Sequence, residues 1–231
     1  MARKATSDRL KEVVEVATRI FIAKGYRRTR MDDVTRAMGL TPGASYRYVE
    51  SKEALFDLII RLSASAELPW EKLEIPVSSP KPGATLAFVR RTLKREGQLE
   101  SLEAALSGRS PDDVKSELSG IVHELYAKTA RYRTSIKLLD AAALDWPELA
   151  RHWSEQWRGN LVRKLAAYLN RRISQGQLRS VPNTNAWARL IIEIVAFLAM
   201  HRHYDPHPTP MDERTAEETA ISAVVHAFAE E

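Results

Sequence analysis

Residues 25–56 read GYRRTRMDDVTRAMGLTPGASYRYVESKEALF, and the architecture of the whole chain follows from how they are read. The pattern predicts two short helices joined by a tight turn, then a further helix opening on Ser51. The turn is Met38-Gly39-Leu40. Gly39 falls where a helix ends and the backbone turns left-handed, which glycine does without steric cost. Thr41 offers a hydroxyl to the free amides of the next helix, and Pro42 takes the first helical position, where no N–H is needed. Asp32 and Asp33 fall in the first turn of the preceding helix, at the positive end of its dipole. The unit is a helix-turn-helix. Its second helix carries Thr41, Ala44, Tyr46, Arg47 and Tyr48, side chains suited to touching DNA.

The flanks fit. Leu10, Val13, Val14, Ala17, Ile20 and Phe21 recur at helical spacing and make one apolar stripe, which Gly25 ends. Val34, Ala37 and Met38 face inward on the next helix. Ser51 caps the helix after the turn, Glu53 lies in its first turn, and Leu55, Phe56, Leu58, Ile59 and Leu62 continue the apolar pattern.

Residues 7–60 resemble the DNA-binding domain of the tetracycline-repressor (TetR) family of bacterial transcription regulators. The resemblance rests on Phe21-Ile22-Ala23-Lys24-Gly25-Tyr26, Met31-Asp32-Asp33-Val34, Gly39-Leu40-Thr41, Tyr46-Arg47-Tyr48 and Ser51-Lys52-Glu53-Ala54-Leu55, in order and at the right spacing. It implies that Tyr46 and Tyr48 place hydroxyls on phosphates or rings on thymine methyls. It implies that Thr41 and Lys52 hold the DNA backbone from two helix N-termini. Arg30 is placed for a phosphate or a guanine edge, and Arg47 for direct base reading, since arginine is the usual partner of guanine. The family's recognition helix commonly reads Lys-Gly-Thr-Leu-Tyr-x-Tyr-Phe, whereas here it is Pro42-Gly43-Ala44-Ser45-Tyr46-Arg47-Tyr48-Val49. Pro42 removes one phosphate contact, Ala44 leaves only apolar contact with a base, and Ser45 stands where a core leucine is usual. These departures bear on the operator sequence rather than on DNA binding itself.

Charge is distributed to match. Residues 1–52 hold twelve Lys/Arg and six Asp/Glu, an excess of six, against +5 for all 231 residues, so the remainder carries −1. A basic excess confined to one quarter of the chain is the electrostatic footprint of a polyanion partner. Arg3, Lys4 and Arg9 read either as a basic arm ahead of the first helix or as a solvated terminus. Cysteine is absent, which excludes disulfides, thiolate metal sites and a thiol nucleophile. The opening MARKATSDR is not a secretory signal, and the apolar segment 186–200 is interrupted by Arg189 and Glu193 and is too short to span a membrane. A cytoplasmic protein is expected.

Past Leu62 the composition changes. Pro69, Pro76, Pro80, Pro82 and Gly83 mark 66–85 as a linker or an ordered crossing. Helical patterns then cover about 84–107, 111–129, 131–144, 147–176, 184–203 and 212–230, with neither a strand nor a repeat. The fold expected is all-α: a three-helix DNA-binding domain over 1–62, and a helical bundle over 63–231 for effector binding and dimerisation. The helix from Trp187 to Met200 is apolar almost all round, so it is buried on more than one side. The last helix carries Ala216, Ala220, Ala223 and Ala227, which allow close helix approach. The resemblance implies a homodimer through these two helices, placing two reading helices in successive major grooves about 34 Å apart. It also implies a small-molecule pocket among the middle helices. Phe88, His123, Tyr126, Trp153 and Trp157 are its candidates, Trp153 and Trp157 sharing a face four residues apart.

His201, His203 and His207 beside Asp205 would suit a metal ion, but the run sits at a helix end, where histidine and arginine favour the negative dipole end. No nucleophile elbow, phosphate loop or dinucleotide motif is present, so no enzyme and no cofactor are expected. The sequence thus points to a double-stranded operator, a small-molecule effector and a second copy of the chain as partners, and to repression. Activation remains open. So does a helical small-molecule-binding protein with only non-specific DNA affinity.

Overall fold

The computed structural model describes residues 2–64, 70, 73–108 and 111–228. Among them there is no β-strand; the secondary structure is helical, with one isolated parallel bridge between Val49 and Val77. The helices are α1 (Ala2–Lys24), α2 (Met31–Ala37), α3 (Lys52–Ala64), α4 (Ala84–Glu96), α5 (Glu100–Ser107), α6 (Val114–Arg131), α7 (Arg133–Ala143), α8 (Pro147–Ala150), α9 (Gly159–Ser174), α10 (Thr184–Ala199) and α11 (Glu213–Phe228). A 3-10 turn covers Ala44–Arg47 and another His201–Tyr204, and a π-helical segment, Arg151–Arg158, joins α8 to α9.

The chain forms two compact units, one of residues 1–96 with 134–155, the other of 97–133 with 156–231. The division expected after Leu62 is therefore not the one the packing makes. The physical reason lies on α3 and its surroundings. Asp57 receives a bidentate Arg61 pair and the Thr85 hydroxyl of α4 at 2.8 Å, and Ser63 bonds Ser135 of α7 at 2.8 Å. In the same unit Leu10, Val13, Ala17 and Phe21 of α1 are buried with Val34, Leu55, Phe56 and Ile59. Phe21, Tyr26, Phe56 and Trp146 form one aromatic cluster, centroids 4.8–6.3 Å apart.

The second unit is built from α5, α6, α9, α10 and α11. Their Leu118, Ile121, Leu165, Leu169, Ala188, Val195, Ala216, Ala220 and Phe228 make its core. Arg172 is fully buried there, answered by both Glu117 oxygens at 2.8 Å and by the Ala105 carbonyl at 3.1 Å. A buried guanidinium is tolerable only with such complete pairing.

The basic arm is a correction. α1 begins at Ala2, so residues 2–9 continue the helix rather than preceding it, and Arg9 pairs with Glu12 one turn on. The side chains of Arg3 and Lys4 lie outside the described residues. No helix among those described is long and apolar enough to cross a membrane.

Candidate nucleic-acid interface

The approach to the interface is set by glycines. α1 stops at Gly25, whose φ of 82° is left-handed and whose missing Cβ would lie 3.1 Å from the Ala141 carbonyl oxygen. That close approach lets Asp145 accept the Arg27 amide at 2.9 Å. α2 opens on Arg30, whose amide donates to Asp33 Oδ2 at 2.9 Å. The Lys24 ammonium, 2.8 Å from the other oxygen, is the main cause holding the Asp33 carboxyl below its usual range. α2 ends as the sequence predicts. Gly39 has φ 65°, its amide reaches the Arg36 carbonyl at 3.1 Å, and the Leu40 amide reaches Thr35 at 2.8 Å. This double closure is a Schellman motif.

Beyond Gly39 the structure departs from expectation. Thr41 does not cap an α-helix and Pro42 is not its first residue. Thr41-Pro42-Gly43-Ala44 is instead a type II turn: Gly43 has φ 78° and ψ −8°, and the Ala44 amide donates to the Thr41 carbonyl at 3.1 Å. Proline at the second position and glycine at the third are what that turn requires. Only a 3-10 turn, Ala44–Arg47, remains of the second helix. It presents Tyr46, half exposed, and Arg47, exposed, with Ala44 and Tyr48 part-covered. Arg30, Thr41 and Pro42 are exposed beside them. Arg30, Arg36 and Arg47 have no ion-pair partner among the described residues, so their charge faces outward.

Beneath this turn Ser45 is fully buried, and its hydroxyl has no hydrogen-bond partner among the described residues. Val49, also fully buried, ends the turn. Its neighbours are pinned by residues of the segment read as a linker or an ordered crossing. The Val77 amide donates to Tyr48 at 2.8 Å, the Val77 carbonyl accepts from the Glu50 amide at 3.0 Å, and the Glu50 carboxylate accepts the Ser79 amide at 2.8 Å. Residues 77–79 thus strap the end of the exposed turn. Alternating β-branched and proline residues near 75–77 were the sequence signal for such an extended segment.

Lys52 is a second correction. Its ammonium points inward and donates to the carbonyls of Tyr26, Arg27 and Thr29 at 3.2, 3.3 and 3.2 Å, over the Tyr26 ring at 4.7 Å. An ammonium has three donors, and all three are committed within the domain. Lys52 ties the α1–α2 loop to α3. Burial, then the Glu53 carboxylate that accepts its hydrogen bond, push the Tyr26 phenol well above its usual range.

The five residues expected around an effector are divided between the two units. Phe88 lies in the first unit under the Arg61 guanidinium, 4.6 Å from its ring centre. Trp153, also there, is buried and donates its indole N–H to Asp140 at 2.7 Å. Trp157, in the second unit, donates to the Gly97 carbonyl at 3.1 Å, so the two indoles are held by separate acceptors. His123 is a correction: its side chain is 63% exposed and paired with Glu217, on a surface rather than in a cavity. Tyr126 is buried in the core of the second unit, its hydroxyl 3.0 Å from Glu213 Oε2.

The histidine run is engaged differently from a metal site. His203 faces Glu213 at 2.9 Å, beside Arg133 and Arg202, which reach the same carboxylate at 3.1 and 2.9 Å. Burial and the two arginines hold the His203 imidazole below its ordinary value. Among the described residues no three His, Cys, Asp or Glu side chains are grouped to hold a metal ion.

Comparison with known proteins agrees with this geometry. Residues 13–59 match the bacterial regulatory proteins of the tetR family. Two solved structures share the fold along almost the whole chain. One is the ketosteroid transcriptional regulator KstR2 of Mycobacterium tuberculosis, with 18% identity, 96% of each chain covered and a TM-score of 0.53. The other is a tetR-family regulatory protein from Rhodococcus RHA1, with 17% identity, 96% of this chain and 98% of that one covered, and a TM-score of 0.51. No curated protein matches the sequence.

Proposed function

We propose that this chain, whose residues 13–59 are a tetR-family DNA-binding domain, is a homodimeric transcription regulator that a small molecule releases from a palindromic operator. The observation that carries the reading is the exposed pair Tyr46-Arg47, raised on a turn directly after a helix-turn-helix junction with no ion-pair partner for Arg47 among the described residues. Arg47 reads a base edge, and the Tyr46 hydroxyl with Arg30 and Thr41 fixes register on phosphates. Lys52 acts behind them as a positioning residue.

Dimerisation is supported by α10. Leu190 and Phe197 are 45% and 53% exposed and stand seven residues apart, two turns along one face. Large apolar groups left exposed on a helix whose other side is core imply a partner. A second copy gives each operator half one reading turn. The effector acts by binding the form off DNA more tightly, since only that difference shifts the equilibrium.

Selection of bound duplexes from a random pool at physiological salt tests this function. An enriched palindrome supports it. Binding without enrichment, fading as salt rises, would favour the non-specific helical binding protein. Leu190→Arg tests the interface: light scattering is expected to give half the parent mass, and an unchanged mass would place the interface elsewhere.

A further inference from the structure

The 3-10 turn that carries Tyr46 and Arg47 has slender support of its own. The Tyr46 amide donates to the Gly43 carbonyl at 3.1 Å, and the Tyr48 and Val49 amides share the Ser45 carbonyl at 2.9 and 3.2 Å. A single turn of this kind has poor hydrogen-bond geometry and is marginal by itself. The four residues that follow it are held from outside. The Val77 amide and carbonyl bond Tyr48 and Glu50 on either side of the buried Val49. The Glu50 carboxylate accepts the Ser79 amide at 2.8 Å on one oxygen and the Ser78 hydroxyl at 3.3 Å on the other. The Ser51 hydroxyl, which caps α3 by accepting the Ala54 amide at 3.0 Å, lies 2.7 Å from the Ser79 hydroxyl. Residues 77–79 fall outside 13–59, the stretch that the family match covers.

We infer that residues 77–79 and Glu50 are positioning residues for DNA binding: they hold the turn in the conformation in which Arg47 meets a duplex. The inference rests on the proposed function. Glu50 carries the sharpest part of it. Its carboxylate is exposed three residues from Arg47, where its charge works against a phosphate backbone. What it contributes in return is two acceptors that fasten 78–79 to the end of the turn. Order supplied within the chain before DNA arrives is order that the duplex does not have to impose, and affinity rises by that difference. The apolar core of the domain, with Leu55, Phe56 and Ile59 of α3 against α1, does not include Glu50. Loosening this bond therefore frees the turn and leaves the core packed.

The test measures the affinity of the full chain for the duplex it enriches from a random pool, with circular dichroism melts confirming that each variant is folded. Glu50→Ala, which removes both the charge and the acceptors, is expected to bind about tenfold more weakly. Glu50→Gln, which removes the charge and keeps an acceptor for the Ser79 amide, is expected to bind as tightly as the parent or more tightly. Val77→Pro, which deletes the amide donated to Tyr48, should also lose about tenfold. In an Arg47→Ala background the loss from Glu50→Ala should shrink to about twofold, because the residue it positions is already gone. Without DNA, hydrogen exchange at 44–49 should quicken about tenfold in Glu50→Ala, with α2 unchanged. Tighter or equal binding by Glu50→Ala, a full tenfold loss in the Arg47→Ala background, or unchanged exchange at 44–49 overturns the inference and leaves the regulator reading standing. A parent chain that enriches no duplex overturns that reading, and the inference with it.

Discussion

Two basic neighbours in the first unit treat their cations in opposite ways. At the start of α3, Lys52 turns its ammonium into three loop carbonyls. On the 3-10 turn Ala44–Arg47, Arg47 is exposed, with no ion-pair partner among the described residues. Both are basic residues of one small domain, and a charge count weighs them equally. The difference teaches that a basic footprint locates a DNA-facing domain but does not say which cations meet the DNA. Local backbone decides that: three convergent carbonyls capture one cation, and a turn that exposes its tip releases the other.

The largest effect is expected from Lys52→Met. It removes three hydrogen bonds from a charged donor and leaves carbonyls of the α1–α2 loop unanswered. The cost is about 2–3 kcal/mol of stability, read as a lower thermal midpoint. If the midpoint holds while DNA affinity alone drops, Lys52 is a phosphate contact and the contrast fails. Arg47→Ala should do the reverse, weakening operator binding by about 1–3 kcal/mol with the midpoint unchanged. Gly43→Ala sharpens the turn geometry. Its φ is 78° and nothing lies within 4 Å of an added Cβ, so backbone strain alone acts. That strain costs about 1–2 kcal/mol. A neutral substitution would mean the type II turn is not kept. Ser45→Ala is the smallest. It deletes a buried hydroxyl with no partner among the described residues, so stability should hold or rise by up to about 1 kcal/mol. A clear loss would show that the hydroxyl has a partner after all.

Much of this architecture was legible in the sequence. The apolar stripes of α1 and α3, the glycine stop at Gly39 and the punctuation at Gly108, Pro147, Gly176 and Pro182 each announce a helix or its end through local chemistry. The turn at 41–47 was half legible. Pro42-Gly43 can open a helix or form a type II turn, and resemblance favoured the helix, whereas the left-handed φ of Gly43 decides for the turn. Lys52 was misplaced because its three acceptors are backbone carbonyls 23–26 residues away, which carry no side-chain signature. The strap's extended backbone was signalled near 75–77, but its partners were not, since Val77 pairs with Tyr48 and Glu50 through main-chain groups alone. Spacing along a helix does not say which neighbour an aromatic face meets. Trp153 and Trp157 are four residues apart, yet their indoles answer Asp140 and Gly97.

The central claim is that Arg47 on its exposed turn reads sequence. The most direct measurement is selection from a random duplex pool with the parent chain and with Arg47→Ala, side by side at the same salt. The account predicts an enriched palindrome from the parent, and from the variant the same palindrome with one position in each half no longer fixed. The same fully fixed palindrome from both, or none from the parent, would contradict it.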